Sequence, residues 1–267
     1  MNLKLLCPSY RTRYLKVIEH LTQLGKVDMV VNIGCGEGDY DKRIRERCRA
    51  LYCCDVNEDD VWYCETVKRN SDIRYSVQNA QELAFGSEKF DCVICIDVLE
   101  HVGVPENAMG EMARVLKPGA VAVVTVPNEN FPWTYDPINR LLQRFNVTLP
   151  LGAFGFGHAK LIDENDLERM FQKHKLNVIA KQYLSRYLVG LLELYWLGLV
   201  QRVLKANAAN RRKKARRMLS IRPDSGEPAA VFMTDFVVKL DETLFRNSRS
   251  SIGIFYLVQK RAIAEGT

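Results

Sequence analysis

Residues 29–55 constrain this chain more than any other stretch. A mostly apolar run, Met29-Val30-Val31-Asn32-Ile33, leads straight into Gly34-Cys35-Gly36-Glu37-Gly38. Such a run suits a buried parallel strand, which is covered on both faces and shows no alternation of polar and apolar positions. Glycines directly after it let the backbone turn sharply and let a ligand lie against the main chain. Residues 40–49 read as a helix whose N-terminus faces that turn, and 51–54 as a second strand ending in Asp55. An acid about 20 residues past a glycine turn, at a strand's C-terminal tip, is placed to accept hydrogen bonds from ribose hydroxyls. The spacing is G-x-G-x-G rather than the G-x-G-x-x-G of NAD-binding domains, so no pyrophosphate need be cradled.

From here the sequence resembles the class I S-adenosylmethionine-dependent methyltransferases. The residues that carry the resemblance are Val30 through Gly38, Asp55, Asn79-Ala80-Gln81-Glu82-Leu83, Phe90-Asp91, Asp97-Val98-Leu99-Glu100-His101-Val102 and Leu116-Lys117-Pro118-Gly119. They follow the family's order and spacing over residues 29–128. The Leu-Glu-His-Val run is similar to that of the branch with the ubiquinone-pathway O-methyltransferases. The resemblance implies an α/β fold: a mostly parallel, seven-stranded Rossmann-like sheet with helices on both faces and a last, antiparallel strand pair. It also implies S-adenosylmethionine as the cofactor. Gly34, Gly36 and Gly38 would hold the methionine part, Asp55 the ribose, and Asn79 with Ala80 the adenine. Asn32, Cys35, Val56, Ile96 and Asp97 belong to the same cofactor-binding set. Two positions depart from the family. Asn32 and Asn79 stand where it usually has acids, near the methionine ammonium and the adenine amino group. An amide carbonyl still accepts a hydrogen bond but brings no charge.

At the end of the fourth expected strand (90–96), His101 has two readings. It is a general base for an acceptor hydroxyl, since imidazole titrates close to neutral pH. Or it and Glu100 only hydrogen-bond the neighbouring helix or the glycine turn. Asp97, Glu100 and His101, with the distant His158, also resemble the metal site of small-RNA 2′-O-methyltransferases, a mixed set suited to Mn²⁺ or Zn²⁺. Asp97 is shorter than the Glu of that pattern, and no metal is expected.

The remaining pattern gives helices over 10–24, stopped by Gly25, over 58–69, over 106–116, stopped by Lys117-Pro118-Gly119, and over 163–173, with Asp163 as N-cap. Strands are expected over 73–77, 120–126, 176–184 and 251–260. The connection 129–160 carries Phe131, Trp133, Tyr135, Phe145, Phe154 and Phe156. A connection this long is usually a lid or binding segment, and its rings suggest an apolar or aromatic acceptor. Eight cysteines occur in 267 residues. Cys53 and Cys54 are adjacent, and Cys92 and Cys95 three apart, on expected strands, so each pair points to opposite faces. Reduced core thiols in a cytosolic protein follow, rather than a disulfide framework. The first seven residues are too short and too weakly apolar for a signal peptide.

Residues 1–185 with 251–262 form the expected methyltransferase domain, and 186–250 an insertion. Within it, 187–204 is apolar but interrupted by Glu193, Gln201 and Arg202, so it is no transmembrane helix. Residues 211–217 hold six basic residues in seven. This pairing resembles an interfacial membrane helix; a helix packed on the domain or a second subunit reads equally well, and nucleic acid less well. Residues 229–239 read as an extra strand. The function expected is methyl transfer to a small-molecule or lipid-like acceptor, on oxygen, by a cytoplasmic protein peripheral to the inner membrane surface. A metal-assisted RNA 2′-O-methyltransferase and a non-catalytic protein that kept the fold remain alternatives.

Overall fold

The computed structural model describes residues 3–66, 72–128, 141–145, 162–192 and 227–262. These fall into two compact units. One lies within Tyr14–Pro127, Ala159–Gln182 and Ile254–Thr267, the other within Met1–Arg13, Asn128–His158 and Tyr183–Gly253. His158, all the connection's rings except Phe145, and most of the apolar and basic runs fall outside the described residues.

In chain order the elements are α1 (Pro8–Leu24), β1 (Val27–Ile33), α2 (Asp41–Arg45), β2 (Cys48–Asp55), α3 (Glu58–Thr66), β3 (Ile73–Val77), β4 (Phe90–Ile96), α4 (Pro105–Val115), β5 (Leu116–Pro127), α5 (Glu164–Lys173), β6 (Leu176–Leu184), α6 (Tyr187–Leu191), α7 (Val231–Leu244) and β7 (Gly253–Lys260). The seven strands form one sheet in the order β3-β2-β1-β4-β5-β7-β6. β1 pairs in parallel with β2 and β4, which extend the parallel array to β3 and β5. The Ile252 N–H meets the Ser185 carbonyl (2.7 Å) and the Arg261 N–H meets the Lys175 carbonyl (3.0 Å), so the chain around β7 runs opposite to β6. The expected sheet is therefore present.

β1 is central because both its faces can be covered. Val30, Val31 and Ile33 are buried, as are Val93, Ile94 and Cys95 beside them on β4. Burying a side chain of this size contributes about 1.5–3 kcal/mol. α4 starts with Pro105 in its first turn and buries Ala108, Met109, Met112 and Val115 at helical spacing. α5 buries Leu167 and Phe171, and the Asp163 side chain caps it by accepting the Asn165 and Asp166 N–H groups, as its sequence suggests. Gly25 ends α1 with φ +73°.

Three elements differ from expectation. The helix expected over 40–49 is confined to Asp41–Arg45, because the β1–β2 ladder already begins at Val27 opposite Cys48 and takes residues 48–50. Lys117-Pro118-Gly119 does not separate helix from strand. β5 starts at Leu116, opposite Phe90, with a register shift before Cys92, and Gly119 at φ +78° absorbs the irregularity. Residues 229–239 form no strand. The β-branched Val231, Val237 and Val238 suggested one, but the buried positions Thr234, Val238 and Asp241 recur at helical spacing, and Val231–Leu244 is α7.

All eight cysteines are thiols, and every one but Cys7 is buried. Burial pushes the Cys48 thiol up to about 11 and that of Cys92 up to about 12, and raises those of Cys54 and Cys95 further. Such groups are not thiolates at neutral pH and react slowly. Alkylation of the native protein at pH 7.5, followed by mass spectrometry, should label Cys7 first and the other seven only on unfolding; early labelling of Cys53 or Cys95 would contradict this packing.

Candidate active site

The glycine turn after β1 is fastened to the C-terminal end of β2. The Gly34 and Cys35 N–H groups donate to the Cys54 carbonyl (2.8 and 3.1 Å), and the Gly38 N–H donates to that of Cys35 (2.9 Å). Gly34 has φ +71°, and a Cβ there would lie 2.2 Å from Val98 Cγ2. Only glycine permits this approach of the β1 and β4 ends. Gly36, at φ +51°, has no atom within 4 Å of a built Cβ, so its outer side is open to a ligand lying on the main chain.

Asp55 joins turn and strand. Its Oδ2 accepts the Gly36 N–H (2.8 Å) and its Oδ1 the Asn57 N–H (2.9 Å). A carboxylate has about four acceptor positions, so the orientation is fixed while capacity for a pair of hydroxyls remains. Val56, next along, is 72% exposed and presents an apolar side chain beside that acceptor. Asn79 follows β3. Its Oδ1 accepts the Gln81 N–H (3.0 Å) and, more distantly, the Gln81 side-chain amide (3.5 Å), which fixes its orientation. Gln81 Oε1 in turn accepts the Val104 N–H (2.9 Å), tying this loop to the one after β4. Glu111 and Arg114 of α4 hold the same connection through the Leu83 N–H and the Leu83 and Phe85 carbonyls.

Asn32 is 2% exposed. Its Nδ2 donates to Asp41 Oδ1 (3.0 Å), while the Tyr75 hydroxyl donates to Asp41 Oδ2 (2.8 Å). Sequence reasoning missed Asp41. A carboxylate thus sits beside the position where the family's acid is absent, carried one turn later by the first residue of α2. Burial, with Asp41 close by, pushes the Tyr75 hydroxyl well above the usual tyrosine range. Among the described residues, Cys35, Asp41 and Cys53 are the one set of metal-compatible groups whose donor atoms lie within 4.8 Å of one another. Both Asp41 oxygens already accept hydrogen bonds. Burial, then the contact with Cys35 and the nearby Asp41, holds the Cys53 thiol protonated. This is a neutral thiol and amide surround for one carboxylate rather than an ion cage.

After β4, Asp97 takes φ +52°. Its N–H donates to the Thr125 carbonyl (3.0 Å) and its Oδ1 accepts the Thr125 hydroxyl (2.8 Å). The conformation is uncommon outside glycine and is held by β5. Leu99 and Glu100 are buried, whereas the His101 side chain is 50% exposed with Nε2 3.9 Å from Glu100 Oε1. Asp97, Glu100 and His101 do not converge as a metal triad among the described residues, and His158 lies outside them. The structure therefore gathers the glycine turn, Asp55, Val56, Asn79, Asp97 and His101 at the C-terminal edge of the parallel strands, where open α/β sheets bind ligands. Open main chain at Gly36, an oriented carboxylate and an exposed apolar neighbour fit an adenosine-bearing cofactor.

Comparison with known proteins agrees with this geometry. A family model described as a methyltransferase domain matches residues 31–124. The ubiquinone biosynthesis O-methyltransferase of Coxiella burnetii (strain Dugway 5J108-111) is 29% identical over 168 residues, covering 62% of this chain and 70% of that protein. Among solved structures, the cyclase SpnF is 16% identical with TM-score 0.58, covering 94% of this chain and 81% of its own. NodS, an N-methyltransferase from Bradyrhizobium japonicum WM9 solved with S-adenosyl-L-homocysteine, is 18% identical with TM-score 0.52, covering 68% and 83%. The structural likenesses are likenesses of fold.

Two substitutions test the site. Asp55→Ala should weaken cofactor binding at least about tenfold, equivalent to about 1.4 kcal/mol, by calorimetric titration; unchanged affinity would remove the ribose assignment. Asn32→Asp puts two carboxylates about 3 Å apart in a buried site, so one must keep its proton. Its pKa is then raised in the folded state. The stability it allows is present at low pH and lost as pH rises, by about 3 kcal/mol once both are charged. Thermal melts should show a deficit against the unsubstituted protein that grows from about pH 4 to about pH 6 and is level above that; a pH-independent deficit would contradict the Asp41 contact.

Proposed function

We propose that this chain acts as a class I S-adenosylmethionine-dependent methyltransferase that places the methyl group on an oxygen of a small or lipid-like acceptor. The observation that carries this reading is the half-exposed His101 imidazole beside the buried Glu100 carboxylate at the C-terminal edge of β4. The relative from Coxiella burnetii, whose name specifies O-methyl transfer, supports it.

The donor, when bound, supplies a methyl group on a sulfonium, already a good leaving group. The chain's own residues supply alignment and a base. The open main chain at Gly36 and the fixed Asp55 carboxylate hold the donor in one orientation, which converts a bimolecular encounter into a positioned one. With the donor bound, its methyl group would pass from sulfur to the acceptor oxygen, the carbon–sulfur electron pair staying on sulfur, and His101 would take the acceptor's hydroxyl proton. Glu100, across 3.9 Å, stabilises the imidazolium that results. Asp41 brings a carboxyl group near the place where the family's acid would meet the donor's ammonium.

The lipid-like acceptor and a membrane-surface contact through 187–217 form one proposal. It is supported by the apolar 187–204 run followed by six basic residues in seven. A reducing, cytoplasmic setting on the inner membrane surface is part of it, in keeping with eight reduced thiols.

His101→Ala should lower kcat by about 10²–10⁴ on a phenolic or lipid-like hydroxyl acceptor while donor affinity stays within about twofold. Full activity in this variant would exclude His101 as the base.

A further inference from the structure

The polarity of α7 is reversed. Its inward side carries Thr234, Asp235, Val238 and Asp241. Thr234 Oγ1 donates to the Leu6 carbonyl (3.3 Å), and the Asp235 carboxylate accepts both Nε and NH2 of the buried Arg11 (2.7 and 3.1 Å). The Asp241 carboxylate, 1% exposed, accepts the N–H groups of Arg186 (2.6 Å) and Leu188 (2.8 Å) and so caps α6. Its outward side carries Phe232, Met233, Phe236 and Leu244, all more than 60% exposed, and Leu240; Leu191 of α6 is half-exposed as well. A helix on a globular protein normally turns its apolar stripe to the core. Here a carboxylate, Asp241, is buried while Phe232 and Phe236 face solvent, which marks a surface made for another phase or molecule.

The charges identify the occupant. The exposed polar neighbours of the stripe include Lys239, Arg246 and Arg249; of the acids, Asp241 is buried, Asp235 is 40% exposed but paired with Arg11, and Glu242 is partly exposed. A second copy of the chain would bring a second set of these cations to the same face. No described helix is long and apolar enough to cross a membrane, and a 14-residue helix with an aromatic stripe and flanking cations suits the plane of an interface. We propose that α7 docks the protein on an anionic lipid bilayer, with Phe232, Met233, Phe236, Leu240 and Leu244 entering the headgroup boundary and Lys239, Arg246 and Arg249 meeting lipid phosphates. This deepens the membrane-contact reading above and rests on it, but assigns the inserting surface to α7, outside 187–217.

The test uses the full chain, vesicles of phosphatidylglycerol with phosphatidylcholine, and vesicles of phosphatidylcholine alone. The unsubstituted protein should co-sediment with the anionic vesicles and not with the neutral ones, less so as salt rises. The double variant Phe232→Ser, Phe236→Ser should bind at least about tenfold more weakly, and Lys239→Glu severalfold more weakly. Because these side chains are exposed, the melting temperature should not fall, so lost binding is not lost folding. Equal vesicle binding by the double variant overturns the proposal, as does absence of vesicle binding by the unsubstituted protein. Light scattering showing a dimer that the double variant converts to a monomer also overturns it and gives the face to a second copy. Donor affinity of the double variant, read by calorimetry, should be unchanged; a failed active-site reading appears there and a failed docking surface in sedimentation.

Discussion

The hydrogen bond from the Gly36 N–H to the Asp55 carboxylate, 2.8 Å long, is the contact on which the site depends. It exists only because two parallel strands end side by side, Ile33 opposite Cys54, with a turn short enough to reach across. The turn reaches because three of its residues are glycines with positive φ, and it lies flat because Gly34 leaves room for Val98. A charge-assisted bond of this kind is stronger than a neutral one. It does two jobs at once, closing the turn and fixing the direction of the Asp55 carboxylate. The loops after β3 and β4 are tied in through Gln81 and Val104, so four strand ends hold one surface.

The buried charge behind that surface shows how a family pattern can be kept with different residues. Asn32 forfeits a carboxylate, but Asp41 supplies one within hydrogen-bond reach, and Tyr75 completes its shell. Two acids at these positions would repel in a low dielectric. An amide and an acid form a donor–acceptor pair instead. The neighbouring thiols of Cys35 and Cys53 add polarizable but uncharged packing. The carboxylate absent at Asn32 is thus found nine residues further along the chain.

Polarity is exchanged elsewhere in the same manner. α7 spends its carboxylates on Arg11 and on the N-terminus of α6, where helix dipole and guanidinium both favour negative charge. That leaves its aromatic side to solvent, and the helix is anchored by polar bonds rather than by a buried stripe. The cost of leaving apolar area wet is about 25 cal/mol per Å², which an aqueous monomer does not recover.

The five parallel strands, the cap at Asp163, the stop at Gly25, and the glycine turn with Asp55 at the end of β2 were legible in the sequence, because each rests on local chemistry: apolar continuity, a side-chain acceptor, a residue without Cβ. Three features were not. Residues 48–50 belong to β2 because β1 offers them a ladder partner, a fact of pairing rather than propensity. Val231 and Val238 carry a strand's composition, yet the bonds of Thr234, Asp235 and Asp241 to distant residues decide for a helix. Asp41 reads as an ordinary first-turn acid until Asn32 and Tyr75, nine residues before and 34 after it, close around its oxygens. The sequence by itself determined where the backbone turns and which strands are buried. Only the tertiary structure decided which polar groups share a buried space, since that depends on distances between strand ends that no spacing along the chain encodes.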